Sequence, residues 1–112
     1  MDEYPSPLDG VFHALSDPTR RAMLAALLGG ERSVGALAAP FEISLAAASK
    51  HIRALERAGL LERTVRGRTH LCALRAAPLA QAVAWLDSYV EGRHILLDAG
   101  AAAAAPSPPE RS

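Results

Sequence analysis

SLAAASKHIRALERAGL, residues 44–60, carries the start, both faces and the end of one helix. Ser44 is a good N-cap, because its hydroxyl accepts a hydrogen bond from a backbone N–H that the first helical turn leaves unpaired. Gly59 stands where the chain leaves the helix in a left-handed conformation, which is easiest without a Cβ. Between them Ala48, Ile52 and Leu55 recur at three- and four-residue steps and mark the face to be buried. The opposite face carries Ala46, Ala47, Lys50, Arg53 and Arg57, with Ser49 and His51 at its margins. Small side chains near a helix start, with cations behind them, suit a DNA major groove. The small residues allow close approach to base edges, and Lys or Arg reaches phosphate or guanine. A basic outer face is also an ordinary way to solvate an amphipathic helix, so the flanking segments decide between the two.

Upstream, Val34, Leu37 and Ala38 form the inner face of a short helix over 34–40 that Ser33 caps and Pro40 ends. Phe41-Glu42-Ile43 is then a brief connection with two apolar anchors. Short helix, turn, second capped helix is the helix-turn-helix arrangement, in which the second helix reads the groove. Before it, Asp17-Pro18 opens a helix over 18–28 with Met23, Leu24, Leu27 and Leu28 inward, closed by Gly29-Gly30. Leu8, Val11, Phe12 and Leu15 make one stripe of a first helix, and residues 1–7 are expected to be a disordered arm.

Downstream the period changes. Residues 60–65 and 69–74 read as two strands joined across Arg66-Gly67-Arg68, where the glycine supplies a tight turn. A structural hairpin needs Gly67 but not its flanking arginines, so a wing laid on a phosphate backbone or minor groove is the preferred reading. Ala77-Pro78 opens a last helix over 78–97, in which Leu79, Val83, Leu86, Val90 and Leu97 form a long apolar stripe beside Trp85 and Tyr89. One small domain cannot cover both this stripe and that of the first helix, which points to a homodimer. Residues 99–112, alanine followed by Pro-Ser-Pro-Pro, are expected to be a disordered tail.

Charge supports the same partition. The formal net charge is zero, yet residues 44–75 hold seven cations against two acids, while residues 1–15 hold three acids and no Lys or Arg. Phosphate responds to the local field and not to the total. At 112 residues the chain is long enough for one modest core,. No apolar run reaches the length of a membrane span. MDEYPSPLDG matches neither a signal nor a transit peptide, and a lone cysteine excludes an internal disulfide framework,. A cytoplasmic location is the expectation.

DPTRRAML at 17–24, SVGALA at 33–38, SLAAASKHIRALERAGLLER at 44–63 and GRTHLCAL at 67–74 together resemble the ArsR/SmtB family of winged helix-turn-helix repressors, over nearly all of residues 8–98. The fold so implied is mainly α with a small β-hairpin wing, in the order α-α-α-α-β-β-α, dimeric through its first and last helices. The resemblance implies a repressor, often of its own operon, that binds an inverted-repeat operator on double-stranded DNA. It sets Ser44, Leu45, Ala46, Ala47, Ser49, Lys50 and His51 at the groove-facing end of the reading helix and Arg66 and Arg68 on the wing. Arg53 joins them from its place on the cationic face. Leu8, Val11, Phe12, Leu79, Val83, Leu86, Val90 and Leu97 fall on the dimer interface.

Metal-sensing members carry a Cys-x-Cys group on the third helix, where this chain has Ala36-Leu37-Ala38. Asp87, Glu91, His94 and Asp98 share a helical face, but one His among carboxylates is a poor zinc set. No metal or cofactor is expected. A small-molecule effector is compatible with the family, and no residue names it. Cys72 alternates with His70 and Leu74 and is read as a small core residue. No phosphate-binding glycine loop, Ser-His-Asp constellation or carboxylate pair appears, so an enzyme is not expected. The competing function is a winged helix that docks on a protein partner through its last helix without binding DNA. The Leu45–Ala48 run favours it, since these side chains offer no hydrogen bond to a base.

Overall fold

Four helices begin on a side-chain oxygen that accepts from the backbone N–H three residues later: Ser6 from Asp9 at 3.2 Å, Asp17 from Arg20 at 3.0 Å, Ser33 from Ala36 at 3.1 Å and Ser44 from Ala47 at 3.0 Å. In the computed structural model, which describes residues 6–91, these caps open α1 (Pro7–Leu15), α2 (Pro18–Leu27), α3 (Val34–Ala38) and α4 (Leu45–Arg57). The strands are β1 (Arg32–Ser33), β2 (Leu61–Arg66) and β3 (Thr69–Leu74), and α5 spans Ala77–Glu91. The chain divides between Leu79 and Ala80 into two units, the first holding the four capped helices and the sheet and the second most of α5.

Several boundaries differ from those expected. α2 ends at Leu27, leaving Leu28, expected inward, 76% exposed. β2 is shifted by one residue and α5 starts one residue early. The first helix starts at Pro7, not Leu8, because Ser6 caps it and proline needs no N–H in a first turn,. Ser6 and Pro7 therefore belong to the folded part. The third helix stops at Ala38, where Phe41 N–H bonds back to the Ala38 carbonyl at 3.1 Å and Pro40 is left outside.

The wing has a third strand that was not expected. The sheet order is β1-β3-β2, all antiparallel, with Arg32 opposite Cys72 and Ser33 opposite Leu71. A two-residue strand has no periodicity to read. Ser33 was recognisable only as a cap, and it is both cap and strand. On the other side of β3, Arg66 pairs with Thr69, so the loop is Gly67-Arg68, with Gly67 at φ 62°.

α4 ends in a Schellman arrangement. Gly59, at φ 79°, donates to Glu56 O at 3.0 Å, and Leu60 N–H to Leu55 O at 3.0 Å,. Leu55 and Leu60, the hydrophobic pair of that motif, are both 0% exposed. The same turn that stops α4 thus buries the start of the hairpin. α4 packs on α1, α2, α3 and β2 through Ala48, Ile52 and Leu55. Met23, Leu24, Leu27, Leu37 and Leu61 complete the core with Cys72, and no polar or charged residue is buried among the described residues. Burial raises the Cys72 pKa, which agrees with a core role.

Asp17 has a consequence for stability. Its hydrogen bond from the Arg20 backbone lowers its pKa, burial opposes this, and the charges of His51 and Arg20 add to it. A carboxyl depressed in the folded state stabilises above its unfolded pKa, and that contribution disappears as pH falls through the folded value. Asp17→Ala is expected to cost about 0.5–2 kcal/mol at neutral pH, typical of a lost cap. Urea unfolding at pH 7 and pH 3 checks this, and the difference from the parent should shrink at the lower pH.

Candidate nucleic-acid interface

The outer surface of α4 is built by the burial of its inner one. With Ala48, Ile52 and Leu55 fixed in the core, helical geometry turns Ala46, Lys50, Arg53 and Arg57 to solvent, and all four are exposed,. Lys50, Arg53 and, on the wing, Arg68 make no ion pair among the described residues. Desolvated pairs would have to be broken before phosphate could bind; here that step is absent. Ser44 spends its hydroxyl on the cap, which places it at the helix start and commits its oxygen to Ala47 N–H.

The wing cations are not equivalent. Arg66 reaches Glu31 at 3.5 Å, with both side chains well exposed, so this pair is a weak, solvent-screened one. Arg68 lies in the loop. Between α4 and the wing runs an open cleft of about 420 Å3, with Leu45 and Ser49 on the helix side and Arg63, Arg68, Thr69 and His70 on the sheet side. Ser33 and the start of α3 close one end. Arg63 is held by Glu56 at 2.9 Å. Hydroxyls and cations facing each other across a cleft between reading helix and wing suit a sugar–phosphate strand. Thr69, His70 and Ser33 were not expected here. The alternation along β3 places His70 and Cys72 on one sequence face, but it does not say that the strand end lies opposite α4.

His51 is placed differently from its neighbours. Its Nδ1 lies 3.4 Å from Arg20 Nη1 and 3.8 Å from Asp17 Oδ2. It faces the start of α2 and is half-buried, so its ring is engaged by the protein. Arg20 also donates from Nε to Ala14 O at 2.7 Å and from Nη2 to His13 O at 3.0 Å, and Arg21 donates to Leu15 O at 2.7 Å. The two arginines of the DPTRR string thus bond three carbonyls at the end of α1: those of Ala14 and Leu15, and that of His13, which also accepts from the Ser16 N–H and hydroxyl,. Their chemistry is architectural, and only the folded chain reveals it.

On the residues expected at a dimer interface the structure is uneven. Val11 is 1% exposed and sits in the core of its own chain, while Leu8 and Leu79 are half-buried and Phe12 is 36% exposed. Along α5, Val83, Leu86 and Val90 are exposed, as are Trp85 and Tyr89, whose rings pack with centroids 4.5 Å apart. Leu97, His94 and Asp98, like the arm at 1–5 and the tail, lie outside the described residues. Asp87 and Glu91 are exposed, and no group of three His, Cys, Asp or Glu among the described residues is placed to hold a metal.

A helix-turn-helix domain family matches residues 15–64, which run from the end of α1 into β2. The transcriptional repressor SdpR of Bacillus subtilis is 31% identical over 83 residues, 74% of this chain and 92% of that repressor. A crystal structure of an ArsR-family transcriptional regulator is 41% identical, with a TM-score of 0.74 over 77% of this chain and 94% of that one. The chain belongs to the ArsR family. This ArsR-family protein is a DNA-binding transcriptional regulator with a winged helix-turn-helix fold. Another neighbour is the homodimeric winged helix-turn-helix DNA-binding domain Mb0332 of Mycobacterium bovis. It is 28% identical, with a TM-score of 0.61 over 81% of this chain and 83% of that one. These relatives are regulators, and no described helix of this chain is long and apolar enough to cross a membrane.

Proposed function

We propose that this regulator works in the cytoplasm, without catalytic activity, as a homodimeric repressor on an inverted-repeat operator. Each subunit inserts the exposed face of α4 into a major groove. Arg66 and Arg68 reach the backbone beyond it, and the strand that separates the two grooves lies in the cleft between them. The observation that carries this reading is the exposed set Lys50 and Arg53 on α4 and Arg68 on the cleft, none of them in an ion pair among the described residues. Ser49 and Lys50 contribute base preference, whereas Arg53, Arg66 and Arg68 set affinity through phosphates.

The apolar surface of α5 supports dimerisation. Val83, Trp85, Leu86, Tyr89 and Val90 are each more than 40% exposed on one fifteen-residue helix, and surface of this kind is ordinarily covered by a partner. A second copy supplies the same stripe, and its two-fold axis presents a second reading helix to the next turn of the duplex. A homodimeric relative of the same fold agrees with this. Repression of its own operon is part of the proposal, and an effector is left unnamed.

A footprint on DNA upstream of its own gene, with and without added metals, tests the proposal, and a protected inverted repeat is the expected outcome. Replacing Arg66 and Arg68 together by Ala should weaken binding to all sequences. It should also flatten the salt dependence by about two units per subunit. An unchanged slope would remove the wing from the mechanism.

A further inference from the structure

Leu45 is the first residue of α4, and its side chain is 64% exposed at the mouth of the cleft between helix and wing. It is not the hydrophobic staple of the helix start, which uses the residue before the cap and the fourth helical position, here Ile43 and Ala48. A large aliphatic side chain that is mostly in solvent at this point takes no part in the buried core of its own chain. Ser49, Thr69 and His70 line the same cleft with Arg63 and Arg68, and Ser33, Val34 and Gly35 line its α3 side. Lys50 and Arg53 stand exposed further along the helix. An apolar protein partner would meet a cationic, hydroxyl-rich rim here. A duplex would bring phosphates that complement it.

Within a major groove one group is apolar, the C5-methyl of thymine. That methyl projects at the groove edge, close to the backbone of its own strand. A side chain overlooking a backbone cleft from the first turn of a reading helix is where such a methyl would be met. We propose that Leu45 reads a thymine methyl group in each half-site, so that operator specificity rests partly on apolar contact and not on hydrogen bonds alone. The proposal depends on the DNA-binding surface described above and adds the base it prefers. Ala46, exposed beside Leu45, offers no hydrogen bond that would compete with this preference.

The test uses the full chain and random duplexes of about 25 base pairs from which binders are selected. The selected half-sites should hold thymine at one fixed position. Remaking the best duplex with uracil there, which removes only the methyl, should weaken binding about fourfold per half-site, as expected for one buried methyl-sized group. Leu45→Ala should bind the thymine and uracil duplexes alike, and Leu45→Gln should move the selected base toward adenine. Leu45 is largely exposed, so both variants should unfold as the parent does, which circular dichroism verifies. Equal binding of thymine and uracil duplexes by the parent, or an undiminished preference in Leu45→Ala, overturns the methyl contact while leaving DNA binding intact. Selection of no sequence at all overturns both the contact and the interface on which it rests.

Discussion

A chain carrying Leu86→Asp and Val90→Asp is expected to run as a monomer and to lose roughly two to four orders of magnitude in operator affinity. The effect is large because the second half-site is bound at the high effective concentration that linkage to the first provides. Leu86 is 42% and Val90 82% exposed, so the carboxylates enter solvent in the isolated chain and burden only a contact between copies. Two charges facing their symmetry mates across an apolar patch would be both desolvated and repelled. Light scattering gives the mass, and titration of a duplex holding one or two half-sites gives the affinity. The variant should bind the two duplexes with nearly the same strength. A variant that stays dimeric with parental affinity would show that α5 is not where the copies meet.

Ile52→Ala is expected to lower stability by about 2–5 kcal/mol, out of a total of about 5–15 kcal/mol for a domain of this kind. Ile52 is 0% exposed on the inner face of α4, and that helix packs on α1, α2, α3 and β2. With α4 held between four separate elements, the surroundings have little freedom to close on the space left behind. Urea unfolding should show an earlier midpoint at an unchanged slope. Lys50→Ala, on the outer face of the same helix, provides the contrast. Its stability should stay within about 0.5 kcal/mol of the parent, while its binding to DNA weakens. A loss below that limit in Ile52→Ala would mean that the helix is held mainly by its other contacts.

What could be read from the chain in advance was whatever is decided locally. Asp17, Ser33 and Ser44 each cap the helix that follows within three residues, and Gly59 and Gly67 take the left-handed conformations their turns require. Arg20 and Arg21 stand in the DPTRRAML string, but their carbonyl partners belong to the helix before it. That relation depends on how two helices cross. His51 shows the same limit from the other direction. Its position beside Lys50 suggests a groove contact, and the packing of α4 against α2 turns it toward Asp17 and Arg20. Val11 followed the apolar stripe of α1 correctly, but a stripe does not reveal which of its members face the chain's own core. The exposed face of α4 was legible because it is the complement of a buried face that periodicity marks.

Ser33 belongs to two structures at once, as the partner of Leu71 at the sheet edge and as the residue whose hydroxyl opens α3. The middle of the hairpin is therefore anchored to the helical body, whereas its end, Gly67-Arg68, is held by the strand pair beneath it and by the weak Arg66–Glu31 pair. In the proposed mode of binding, residues inserted at that end would lengthen the reach along a duplex without loosening α4. How far this protein grips on either side of its target can thus change independently of what it reads there.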